Sequence, residues 1–149
     1  MISVEKALEN LFQLTQPMGN EVVRLENAHN RVLAKDAVAQ RDQPPFPSSA
    51  MDGYAVSNMD AGTGATFDVI GESAAGHHFS GSLEMGQAVR ISTGALLPKG
   101  AKRVIIQENV HRSANQITLG QNMTKSDFIR RTGSDFSVGH KIRANCHLK

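Results

Sequence analysis

"RVIIQENVHRSANQITL", Arg103 to Leu119, is where the fold class is decided. Val104, Ile105 and Ile106 form an unbroken apolar run of β-branched residues. Such a run suits a strand packed on both faces. The pattern predicts a strand from Arg103 to Val110. "RSANQ" is short and polar, so it reads as a turn that returns the chain through "ITL" as a hairpin.

Working outward, short β candidates recur at near-regular spacing: Gly53 to Val56, Thr66 to Gly71, Ala88 to Ile91, Gln116 to Leu119 and "FIRR", Phe128 to Arg131. Glycine-containing breaks separate nearly all of them. This spacing argues for an all-β body, a sandwich or barrel-like unit. Closer to the N-terminus, Glu21 to Leu25 is β-like, Glu26 to Ala34 reads as a short helical turn, and Lys35 to Gln40 reads as a strand. Ahead of these, Ser3 is an N-cap candidate, and Val4, Ala7, Leu8, Leu11 and Phe12 fall on one helical face. The spacing predicts a helix from Val4 to Thr15, stopped by Pro17 and Gly19. Its apolar face must pack on something. The expected fold is mainly β with an N-terminal α-helix.

A chain of 149 residues fits one ordinary domain or two small ones. Hydrophobic residues make up 40% and charged residues 20%, which excludes a disordered chain. No apolar run is long enough to span a bilayer. "MISVEKALEN" carries acids early and has no basic leader, so no signal peptide is expected. Cys146 is the single cysteine, so an internal disulfide and a multi-cysteine zinc site are excluded. A cytoplasmic address is the default expectation. The net charge of +2 hides an asymmetry. Lys125, Arg130, Arg131, Lys141, Arg143 and Lys149 face only Asp127 and Asp135, so this end is net basic and the preceding chain is net acidic. A basic end favours an anionic partner or is simply a solvated face. It lacks the interleaved aromatics of a single-strand nucleic-acid binder.

Three segments carry candidate chemistry. In "PPFPSSAMDGYAV", Pro44 to Val56, Asp52 precedes a glycine, the pattern of a turn in which glycine takes positive φ. Its apolar neighbours Pro45, Phe46, Ala50, Met51 and Tyr54 predict buried surroundings. A carboxylate held there could bind a metal or a cationic group. In "RISTGALLPKGAKRVIIQE", Arg90 to Glu108, a strand ends at Thr93-Gly94-Ala95. Backbone N–H groups and the Thr93 hydroxyl could cradle an oxyanion. In "FIRRTGSDF", Phe128 to Phe136, Arg130 and Arg131 on a strand would point to opposite faces. Asp135 could pair with one of them, and an arginine there could recognise a phosphate-like anion. His77 and His78 are adjacent and read as loop residues, not joint metal ligands.

Taken together and in this order, "PPFPSSAMDGYAV", "RISTGALLPKGAKRVIIQE" and "IRRTGSD", with "RVLAKDAVAQRDQPPF" upstream, resemble the N-terminal region of MoeA-type molybdopterin molybdenumtransferases, the group that includes the gephyrin E domain. The similarity runs from about Val4 to about Lys141. Departures from the family pattern fall at Pro47-Ser48, Leu96, Lys99 and Lys102-Arg103.

The resemblance implies a β-rich subdomain inserted into an elongated helical one. Residues 1–20 would be the helix of the elongated part, 21–135 the β-rich subdomain, and 136–149 the start of the return. It implies molybdenum cofactor biosynthesis: insertion of molybdenum, supplied as molybdate, into adenylated molybdopterin with magnesium. Asp52 and Thr93 match catalytic positions, Asp52 also a metal position, and Arg130 and Asp135 a ligand-binding cluster. The implied partners are adenylated molybdopterin, molybdate and a second copy in a homodimer, with no nucleic acid and no membrane. The chain would be about the first third of such an enzyme, without the molybdopterin-binding part, inactive alone and holding no cofactor tightly. The alternative is a non-enzymatic interaction or dimerisation module derived from the same family.

Overall fold

Elements follow the chain as α1 (Val4–Leu14), β1 (Ala37–Val38), β2 (Ser48–Ser49), β3 (Gly53–Val56), β4 (Thr66–Ser73), β5 (Gln87–Ile91), β6 (Arg103–Ile106), β7 (Val110–Ser113), β8 (Gln116–Leu119), β9 (Ile129–Arg130) and β10 (Lys141–Ile142). The computed structural model describes residues 2–16, 18–59, 61–121 and 123–149. Contacts divide the chain into a unit of Val38–His140 and a unit of Met1–Ala37 with Lys141–Lys149. The fold is mainly β with one N-terminal helix.

The larger unit is built on a six-stranded sheet in the order β6-β3-β5-β4-β8-β7. β3 is antiparallel to β5 and β6, while β4 runs parallel to β5. Alternation along the strands feeds two apolar clusters. Tyr54, Val56, Phe67, Ala88, Ile105, Ile117 and Leu119 belong to one. Ala55, Val89, Ile91, Val104, Leu83 and Ala95 belong to the other. Val104 and Ile105 thus pack on opposite faces, as the apolar run required. They do so on an edge strand, whose outer side is occupied where Val104 N–H donates to the Asp127 carbonyl at 2.9 Å.

The expected strand from Arg103 to Val110 is in fact two. It ends at Ile106, a 3-10 turn covers Gln107–Asn109, and β7 starts at Val110. β7 and β8 form the expected hairpin, with Ala114 at φ 51° in its turn. Arg103, 7% exposed, is the charged member of the edge strand. Its guanidinium donates to the carbonyls of Met59 and Thr124, which ties two loops to β6. Arg103→Ala leaves both carbonyls without that donor. Urea denaturation should show a loss of about 2–3 kcal/mol.

In the smaller unit, Ser3 caps α1 by accepting from Lys6 N–H at 3.2 Å. The helix ends at Leu14; Pro17, read as its stop, lies outside the described residues. No residue of α1 is buried. The apolar face expected to pack on something finds no cover among the described residues: Val4, Leu8, Leu11 and Phe12 stay open to solvent. Glu21 to Leu25 is not a strand, and Leu25–Asn27 is a 3-10 turn. Backbone bonds between Leu33 and both Asn145 and Cys146, and between Arg31 and Leu148, hold this unit's two chain segments together.

Candidate functional site

The approach to Asp52 is gripped from two sides. On one side Leu97 N–H donates to the Pro47 carbonyl, Gly94 N–H to Ser49, and Ser49 N–H to Ala95. On the other, Ala50 N–H donates to Phe128 and Gly133 N–H to Pro44. Ser48 pairs with Arg130 in the β2–β9 ladder and bridges to Leu96. The three segments singled out in the sequence therefore meet along residues 44–50. The strand character of Ser48 and Ser49 was not legible from their residue types.

Asp52 itself is exposed, and Phe46 and Met51 are about 40% exposed. The expected burial of its surroundings is corrected: only Tyr54 among the large neighbours is fully inside. The carboxylate is fixed by hydrogen bonds instead. Thr93 N–H reaches Asp52 Oδ1 at 2.7 Å and the Thr93 hydroxyl reaches the same oxygen at 2.9 Å. No bond among the described residues occupies Oδ2. The Thr93 backbone N–H is the chief reason the Asp52 carboxyl titrates below the usual carboxylate range. The Thr93 hydroxyl comes next, slight desolvation opposes, and the Arg90 charge helps.

The oxyanion cradle expected at Thr93-Gly94-Ala95 needs revision. Gly94 has φ 80°, as a sharp bend requires, but its N–H goes to Ser49 and that of Ala95 to Ser92. Thr93 gives both its protons to Asp52. The bend serves the carboxylate. Thr93→Val should raise the Asp52 pKa but leave it below the ordinary value, since the stronger backbone donor remains. Because the folded pKa is the lower one, the carboxylate's contribution is present above the unfolded value and fades as pH falls through the folded one. Carboxyl-carbon NMR titration of both proteins measures the difference. An unchanged Asp52 pKa would remove the hydroxyl from this account.

Arg130 and Asp135 form a second pair. Arg130 Nη2 lies 2.7 Å from Oδ1 and 2.5 Å from Oδ2. Both side chains are over 40% exposed, so the pair adds little stability. Arg131 instead faces Asp127 at 3.6 Å. No bond among the described residues joins this pair to Asp52 and Thr93. Arg90 was quoted within a segment but not singled out. Its signal was a lone cation inside the apolar strand "AVRIS". It lies 5.4 Å over the Tyr54 ring and donates to the Tyr54 hydroxyl at 3.2 Å and to Gln107 Oε1 at 2.9 Å.

Among the described residues no three His, Cys, Asp or Glu side chains come together to hold a metal. Asp52 Oδ2 fits a magnesium ion as one ligand. Such ions commonly take one or two carboxylates and complete their shell with waters and substrate oxygens.

Fold and site define a class: a mainly β protein that displays a threonine-clamped carboxylate and an arginine–aspartate pair on its surface. The chain belongs to the family described as MoeA N-terminal region (domain I and II), which it matches over residues 2–148. It is 37% identical over 144 residues to a molybdopterin molybdenumtransferase of Haemophilus influenzae, covering 95% of this chain and 36% of that protein. A protein of the same name from Nostoc sp. is 30% identical over 151 residues, covering 95% and 35% respectively. The crystal structure of the molybdopterin biosynthesis moeA protein from Pyrococcus horikoshii OT3 is similar with a TM-score of 0.84 and 32% identity, over 97% of this chain and 40% of that one. The chain thus spans little more than a third of the length of these relatives.

Proposed function

We propose that this chain acts in molybdenum cofactor biosynthesis, as the N-terminal part of an enzyme that inserts molybdenum from molybdate into adenylated molybdopterin. The observation that carries the reading is the Asp52 carboxylate. It is exposed, ionised and held by two Thr93 donors, with one oxygen turned free, in a chain of the MoeA family. Such a group is ready-made to meet a cation or a ligand brought from outside the unit.

In this reading Asp52 is the residue that touches the ligand, and Thr93 is a positioning residue. Magnesium would be held by Asp52 Oδ2, supplying positive charge opposite the substrate's anionic oxygens. Asp135 would hold Arg130, whose Nε and Nη1 remain for an anionic ligand. The β unit would be the inserted subdomain, completing its site against the molybdopterin-binding part of a second subunit in a cytoplasmic homodimer. The test replaces Asp52 in the full-length protein and follows cofactor formation in cells that depend on it.

A second reading, an interaction or dimerisation module, is favoured by one observation: Leu8, Leu11 and Phe12 are 47–72% exposed on one face of α1. Monomeric proteins seldom leave such a stripe uncovered. Leu11→Glu, at an exposed site that folding does not need, should halve the sedimenting mass of the chain. Unchanged mass, or a wild-type chain that already sediments as a monomer, would count against self-association through this helix.

A further inference from the structure

The larger unit has an open groove of about 540 Å³ lined by Val69, Ile70, Glu72, Arg90, Arg112 and Asn115, with Gly71 between them. Two features set it apart from ordinary surface. The first concerns charge. Among the described residues the ion pairs involve Arg24, Arg31, Arg130, Arg131 and Lys6, but neither Arg90 nor Arg112. Glu72 is the register partner of Arg90 across β4 and β5, yet no ion pair joins them. The second concerns order. Arg90 is half-buried and oriented wholly by neutral groups, the Tyr54 ring and hydroxyl and the Gln107 amide oxygen. Arg112 is steered by one bond from Nε to the Ala114 carbonyl, which leaves both Nη groups unbonded.

The Arg90 charge is felt by Asp52, and Glu72 stands beside it, but neither carboxylate forms an ion pair with it, so its donors remain for an incoming anion, and its orientation costs little further entropy on binding. Two of them beside the Asn115 amide offer more donors than one carboxylate can use, and tetrahedral phosphoryl oxygens match that number. The volume far exceeds a lone ion and falls in the range of small-molecule sites. Val69 and Ile70 supply an apolar wall, and Glu72 supplies an acceptor for a hydroxyl or amine.

We propose that this groove binds a phosphate monoester of small-molecule size, with Arg90 and Arg112 on the phosphoryl group and Glu72 on a donor of the attached body. The assignment concerns a groove that includes neither Asp52 nor Thr93, and its test is binding to this chain alone.

The isotope-labelled chain is titrated with inorganic phosphate and with adenosine 5′-monophosphate, an ester whose body carries hydroxyls and an amine. Side-chain resonances of Arg90, Arg112 and Asn115 should shift with both, and the ester should bind the tighter. Arg112→Gln, on an exposed strand, should weaken ester binding about ten-fold, the size expected for one charge-assisted contact. Arg90→Lys keeps the charge but loses the fork, and should weaken binding with the fold retained, as judged from the Tyr54 resonances. Glu72→Gln should narrow the preference for ester over free phosphate. Shifts confined to the basic end from Lys125 to Lys149, or insensitive to both arginine variants, would overturn the proposal. Equal affinity for phosphate and ester would overturn the monoester assignment.

Discussion

Asp52→Asn in the full-length protein is expected to cut molybdenum cofactor formation by ~100-fold or more, the usual scale for deleting a preorganised charged group at a reacting centre. Folding should be little changed, since only the small contribution of the exposed carboxylate's charge is lost. The asparagine carbonyl can still accept both Thr93 protons, so the clamp survives and only the charge is lost. The side chain is exposed, so no buried polar group is left without a partner. Cofactor formation in cells and a urea melt of the same variant separate the two effects. Wild-type output would remove Asp52 from the reaction, whereas a lost fold would make the experiment about stability. Thr93→Val should fall between, roughly ten-fold, because the backbone donor persists and the carboxylate stays ionised but less firmly aimed. A drop as large as that of Asp52→Asn would mean that Thr93 itself touches the ligand.

What the sequence disclosed about this site followed from local pattern. The bounds of β3 and β8 were legible residue for residue, because Tyr54, Val56, Ile117 and Thr118 are the aromatic and β-branched residues that strands favour. The split of β6 from β7 was not. Glu108 and Asn109 sit within a run that looks strand-like from both ends, and only the 3-10 turn shows that the chain changes direction. Ser48 and Ser49 are fully buried strand residues with no large apolar side chain to advertise it. Their ladder partners lie more than 40 residues away, beyond any local window. The same holds for the site. Asp52 and Thr93 could each be nominated, but their shared hydrogen bonds span 41 residues of sequence. Burial was the weakest inference. Phe46 and Met51 are large and apolar yet stand at the surface, so the carboxylate is constrained by donors and not by a hydrophobic wall.

Gly53→Ala is expected to act on the fold by about 3 kcal/mol, although it adds one methyl group beside the residue just discussed. The sequence pattern suggested a turn glycine at positive φ, but Gly53 is not among the positive-φ residues. It is the first residue of β3, buried, and opposite Ile106 in the ladder. A Cβ there would lie 2.0 Å from the Ile105 carbonyl oxygen, 2.9 Å from its carbon and 3.0 Å from the Ile106 Cα. All three are backbone atoms, so no side-chain rotation relieves the clash. β6 must move away from β3, and with it Val104 and Ile105, which pack in the two opposite apolar clusters. The strain therefore reaches both faces of the sheet. The Gln107 N–H to Asp52 carbonyl bond, 3.1 Å long and just beyond the clash, should weaken with it. Urea denaturation should show a shifted midpoint, and amide exchange should quicken across β3 and β6 while β7 and β8 keep their protection. A variant as stable as the parent would show that the two strands can separate at no cost. The two neighbours in "MDGY" then divide the work by readout: Asp52→Asn changes chemistry with little change in stability, and Gly53→Ala changes stability first and chemistry only through it.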